Sequence, residues 1–144
     1  MNSYLLKASS AWLLSFFPLG EVFVSVPAAI ATGLDYYSII FWCVFGNFSA
    51  ALLLIAAYKK LVTFNWFQLK IDKLKDHKAK HYFQRYGSSF VLAATPIIGV
   101  WTMAITAKLF GFKSRKFLAL SFTSILIYSV AIIASFELGL SALA

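Results

Sequence analysis

Glu21 is the residue whose type and setting most directly suggest chemistry. It lies inside the apolar stretch LLSFFPLGEVFVSVPAAIATGLD, and a carboxylate in hydrocarbon must find a partner or hold its proton. The chemistry on offer is that of a proton or cation acceptor on a path through a membrane. Its plainer role would be to cap a helix or to reach the membrane surface. Asn47, beside Gly46 in FGNFSAALLL, can bond across packed helices where the glycine lets a second backbone approach, or can face the same cavity as Glu21. Thr95, Thr102 and Thr106 carry hydroxyls that usually bond their own backbone, Trp101 supplies a large amphipathic ring, and Pro96 removes a backbone donor. Glu21 as the coupling group, with Asn47, Thr95, Pro96, Trp101 and Thr102 lining a path, forms the candidate site. Asp35, directly before an apolar block, reads as a helix N-cap.

Other chemistries find little support. His77 and His81 stand four positions apart, but the residues around them are lysines and no Cys or third His is near; neither a metal site nor a cofactor is predicted. The chain lacks G-x-S-x-G, H-E-x-x-H and a glycine-rich phosphate loop, and no enzymatic activity is predicted. Cys43 is the single cysteine and cannot form an intramolecular bridge.

The composition sets the medium. Of the 144 residues 61% are hydrophobic and only 12% charged, against about 25% charged in a soluble domain. One integral membrane domain follows, and a soluble enzyme or a disulfide scaffold is excluded. The net charge of +8 comes from thirteen basic and five acidic residues. Twelve of the thirteen cations fall in two clusters, Lys59 to Arg85 and Lys108 to Lys116. Such charge is of the kind that fixes membrane orientation, and nucleic-acid binding is not predicted.

Both clusters can be cytoplasmic only if the apolar block between them enters the membrane and returns. Residues 88–112 therefore read as a re-entrant hairpin turning near Gly99. The first block, 11–34, carries Pro18, Gly20, Pro27 and Gly33 and reads as a second hairpin from the outer face, with Pro27 and Gly33 as its turns. Residues 36–58 and 117–140 are the full transmembrane helices. The linker 61–87 reads as a basic amphipathic helix lying in the headgroup layer. Lys70, Lys73, Lys80 and Arg85, with Lys113, Arg115 and Lys116, are its expected lipid-headgroup contacts. The predicted fold is all-α: two inverted repeats, each a hairpin plus a transmembrane helix, joined by that interfacial helix. Two spans per chain cover two hairpins poorly, so a homodimer is expected. A signal peptide over residues 1–31 is the rival for the first block, but Glu21 and two prolines argue against it.

Two segments resemble a known family. EVFVSVP, Glu21 to Pro27, resembles an E-L-R-x-A-x-P hairpin, and GVWTMAITAKLFGFKSRKF, Gly99 to Phe117, resembles a G-A-W-T-G-A-L-I-A-x-L-L-G-x-x-R-R-K-x-F segment. With Gly46-Asn47 and FQRYG they are similar to the small multi-drug export protein family, a branch of the DedA/VTT superfamily. That resemblance implies two inverted re-entrant hairpins, a bacterial inner membrane and the movement of lipids or other amphiphiles. Phe23 stands where the family carries an arginine, and Ala93 and Gly99 where DedA relatives carry two. A cavity with one acid and no arginine fork is a poor phosphate site. The predicted function is transport of a lipid or amphiphile, with proton coupling at Glu21. The alternatives are efflux of a small organic cation, and a membrane scaffold that transports nothing.

Overall fold

The computed structural model describes residues 2–18, 20–65, 68–69, 72 and 77–143. Among them the chain forms helices α1 (Asn2–Phe16), α2 (Val22–Ala31), α3 (Tyr36–Leu61), α4 (His77–Ile98), α5 (Val100–Leu109) and α6 (Ser114–Leu143), and no strand. Two of these are long and apolar enough to cross a bilayer: α3, with 26 residues, and Ser114–Gly139 of α6. A crossing needs about 20 residues. The 10-residue helices α2 and α5 fall short of that.

Residues group into two compact units, Met1–Ser49 with Ile125–Ala144, and Ala50–Ser124. Each contains one pair of short helices and about half of both long ones. In the first unit, α1 runs to Phe16 and the chain turns at Pro18 and Gly20 before α2 begins. Gly20 lies so close to α1 that a Cβ there would sit 1.6 Å from the Leu14 carbonyl oxygen. The turn is therefore at Pro18–Gly20. Pro27, expected at a turn, lies inside α2. A proline within a helix loses one backbone bond and crowds the carbonyl four residues back, yet in membrane helices this is tolerated. Gly33 does turn the chain, after the end of α2. Its φ of 72° is left-handed, its N–H bonds the Ile30 carbonyl at 2.9 Å, and it closes α2 as a C-terminal glycine. Asp35 then caps α3, its Oδ2 accepting the Ser38 N–H at 2.9 Å.

The second unit bends at Gly87, whose φ of 41° and ψ of −104° interrupt α4. Residues 77–86 lie before the bend and 88–98 after it. A second break falls at Gly99, with φ 99° and ψ 141°, a combination open essentially to glycine alone. Gly99 thus separates α4 from α5. Gly111, φ 72°, ends α5, and the Phe112 N–H reaches back to the Ala107 carbonyl at 2.8 Å. Of the linker expected as one amphipathic helix over 61–87, residues 66–67, 70–71 and 73–76 lie outside the described residues; in the described part α3 ends at Leu61, the chain turns at 62–64, and α4 begins at His77 and bends at Gly87.

Cores in both units are built from small and branched side chains. Val22, Val26, Ala29, Ile39 and Cys43 are buried in the first, and Ala50, Leu54, Val91, Val100, Met103 and Phe117 in the second. Ile105 packs with Tyr58, Leu61, Val62 and Leu109. Phe41, Phe45, Leu52, Leu53, Ile127 and Val130 on the long helices are exposed, the surface that a hydrocarbon solvent would accept.

Candidate functional site

Glu21 occupies the N-cap position of α2, half-buried, with φ −54° and ψ 172°. Its backbone carbonyl accepts the N–H groups of Val24 and Ser25, each at 2.8 Å. Its side chain makes no cap hydrogen bond. Among the described residues the carboxylate has no hydrogen-bond or ionic partner, so the capping role leaves it free. It projects from the first turn of an apolar helix, where the helix dipole favours negative charge.

One helical turn further on, the interior becomes polar. Ser15 of α1, Ser25 of α2 and Asn47 of α3 are all buried. The Ser15 hydroxyl donates to the Cys43 carbonyl at 2.6 Å, accepts from Ser25 Oγ at 3.3 Å, and accepts from Asn47 Nδ2. Asn47 Nδ2 also lies 3.4 Å from the Cys43 carbonyl. One hydroxyl thus ties three helices, and these groups bond one another. Gly46 permits the approach: a Cβ there would be 2.5 Å from the Trp12 carbonyl oxygen and 2.9 Å from Ser15 Cβ. Asn47 is thus bonded across helices, as its packing reading expected.

The other expected pathway residues belong to the second unit. Thr95 is buried and its hydroxyl donates to the Val91 carbonyl at 2.5 Å. Pro96 is buried within α4. Trp101 and Thr102 are half-buried at the start of α5, and the Thr102 carbonyl accepts the Thr106 hydroxyl at 2.7 Å. The structure thus brings together Asn47 with two serines in the first unit, and Thr95 and Pro96 with Gly99 in the second. Arg85, Lys113, Arg115 and Lys116 are exposed. Arg85 lies 5.6 Å from the centroid of the Tyr86 ring and Lys116 5.8 Å from that of Phe112. The side chains of Lys70, Lys73 and Lys80, and that of His77, lie outside the described residues. Among the described residues no group of three or more His, Cys, Asp and Glu side chains gathers.

Ser15 and Ser25 escaped the sequence reading. The available signal was that each is a lone hydroxyl in an apolar run, WLLSFF and VFVSVP, on either side of the Pro18–Gly20 turn. Isolated serines in membrane helices normally satisfy themselves on the preceding turn, so neither signals a network by its position alone.

The family model for small multi-drug export proteins matches residues 21–131, well over half of the chain. The chain belongs to the small multi-drug export protein family. The match opens at Glu21 and takes in α2, α3, α4, α5 and the first part of α6. No curated protein and no solved structure matches it significantly. With two helices of spanning length, this small multi-drug export protein is a membrane protein. The family description is consistent with an export role.

Proposed function

We propose that the protein exports an amphiphile, a lipid or a lipid-like molecule, across the membrane, with Glu21 as the proton-accepting group. The observation that carries this is the carboxylate of Glu21: half-buried, without a partner among the described residues, and set at the break between two apolar helices. A group kept in such surroundings at the expense of stability is a functional group by default. In this reading residues 11–34 and 88–112 are re-entrant hairpins inserted from opposite faces, and the halves are inverted repeats as in transporters with midplane sites. The shortness of α2 and α5, the breaks at Gly20 and Gly99, and the resemblance to DedA relatives support it. The unit is a homodimer in a bacterial inner membrane, with the basic linker and the exposed Arg85, Lys113, Arg115 and Lys116 against anionic cytoplasmic headgroups. It contacts membrane lipids rather than nucleic acid, and it performs transport rather than an enzymatic reaction.

The family description favours a second reading, efflux of a small organic cation, in which the same carboxylate pairs with the cargo. Reconstitution separates the two. In proteoliposomes, amphiphile export predicts that labelled lipid exchanges between leaflets and that Glu21→Gln stops the exchange while folding is kept. Uptake of a cationic dye driven by a pH gradient, with no lipid exchange, establishes the second reading instead. Absence of both activities in well-folded protein would leave a scaffold.

A further inference from the structure

The loop between α2 and α3 holds a recess of about 520 Å³, lined by Ile30, Gly33, Leu34, Asp35, Tyr36 and Tyr37. Binding sites for small molecules typically span about 300 to 1,000 Å³ and are mostly apolar with a few placed polar groups. Ile30 and Leu34 supply the apolar floor. Tyr37 stands 87% exposed at the rim, an aromatic face open to a cation. Asp35 is pinned by the Ser38 N–H yet exposed, and that bond holds its carboxyl below the usual carboxylate range. It is therefore negative at any physiological pH. Beside Gly33 a cation completes the set: Lys7 Nζ of α1 would lie 3.7 Å from a Cβ at that glycine. Among the described residues Lys7 has no hydrogen-bond or ionic partner. The Tyr36 hydroxyl donates to the Glu137 carboxylate, so two acids, Asp35 and Glu137, an aromatic rim and, beside Gly33, the Lys7 ammonium bring both signs of charge to an apolar recess directly before the long helix α3.

We infer that this recess binds the headgroup end of a zwitterionic phospholipid, its ammonium against Asp35 and Tyr37 and its phosphate toward Lys7. The charge pattern selects this class. A purely cationic amphiphile meets Lys7, and a purely anionic one meets Asp35 and the Glu137 carboxylate held by Tyr36, whereas a phosphate joined to an ammonium matches both signs. The apolar floor selects a lipid over the soluble headgroup, because Ile30 and Leu34 offer a headgroup alone nothing. Two ordinary explanations compete. Lys7 could only offset the negative C-terminal end of α2, and the tyrosines could only be interfacial anchors. Neither would distinguish one headgroup from another. The inference deepens the amphiphile reading above and rests on it for the membrane setting, but it does not depend on Glu21.

The test is native mass spectrometry of the full chain released from micelles holding equal amounts of phosphatidylethanolamine, phosphatidylglycerol and a dialkyldimethylammonium lipid. Wild type should retain phosphatidylethanolamine about five- to ten-fold over each competitor. Asp35→Asn keeps an N-cap of equal quality, so α3 stays folded, and it should abolish the preference over phosphatidylglycerol. Lys7→Gln should abolish the preference over the cationic lipid. Tyr37→Ala, at a fully open position, should weaken retention of both ammonium-bearing lipids. Equal retention of all three lipids by wild type, or preferences that survive Asp35→Asn and Lys7→Gln, would overturn the inference. So would displacement of bound lipid by free phosphoethanolamine. Glu21→Gln should keep the preference: if transport is lost with the preference intact both readings stand, if transport persists only the export pathway falls, and if the preference alone is missing only the recess falls.

Discussion

The hydroxyl of Ser15 and the amide of Asn47 meet 32 positions apart in sequence, joining α1 to α3 where Gly46 brings the two backbones together. The contact is buried on both sides. In hydrocarbon or in a dry helix interface, a donor that loses its acceptor regains nothing from solvent.

Replacing Ser15 by Ala should therefore cost about 1 to 3 kcal/mol, because it removes the acceptor of the Ser25 hydroxyl and leaves the Asn47 amide only its longer contact with the Cys43 carbonyl. Asn47→Leu alone should cost a comparable amount through lost bonding and overpacking. In the double variant the two losses should be less than additive. Thermal unfolding of the four proteins in one detergent measures the coupling, and strict additivity would show that the two groups do not act as a pair.

Gly46→Val should separate α1 from α3. The first added carbon would meet the Trp12 carbonyl oxygen at 2.5 Å, a backbone atom that cannot swing away. Overpacking of this kind costs about 1 to 3 kcal/mol or more. A lowered melting temperature, with protease cleavage appearing first between Phe16 and Val22, is the expected result.

Gly99 and Pro27 should respond oppositely to alanine. Gly99 has a backbone conformation that side chains rarely adopt, so Gly99→Ala should destabilise by about 1 to 3 kcal/mol. Pro27 is inside α2, where alanine restores a backbone donor to the Phe23 carbonyl, and Pro27→Ala should hold or raise the melting temperature. A large loss on Pro27→Ala would count against a plain helical position for that proline.

Asp35 gives a pH dependence with a definite sign. The Ser38 N–H lowers its carboxyl in the folded chain, so the carboxylate form is the one that stabilises α3. That contribution is complete above the ordinary carboxylate range and fades as pH falls through the lowered folded value. Unfolding midpoints measured from about pH 6 down to about pH 3 should decline less in Asp35→Asn than in wild type. Equal slopes would remove Asp35 from the account.

The features legible in the sequence are those set by single residues acting locally. Asp35 caps α3 because a short acceptor in front of an apolar helix can do little else. Gly46-Asn47 forms a helix crossing because a missing side chain next to an amide suits close approach. Gly99 breaks the second pair of short helices for want of a Cβ. What escaped depends on which of several breakers the tertiary contacts choose. Pro18, Gly20, Pro27 and Gly33 all weaken a helix, and their order in the chain does not say which one turns it. The choice of Pro18–Gly20 comes from the fit of Gly20 against the Leu14 carbonyl, a contact between residues that share no sequence signal. Ser15 and Ser25 were hidden for the same reason, since only the pairing of α1 with α2 and α3 turns two unremarkable hydroxyls into a shared buried network.

The tight seat of Gly20 has a practical bearing on how function will be sought in this chain. Any larger residue there must push α1 away from the turn, so a saturation mutagenesis screen scored by activity will mark position 20 as intolerant, next to position 21. The two scores will look alike and mean different things. Only a screen that also counts folded protein per cell will separate them, with substitutions at Gly20 depleting the protein and those at Glu21 leaving it abundant but silent.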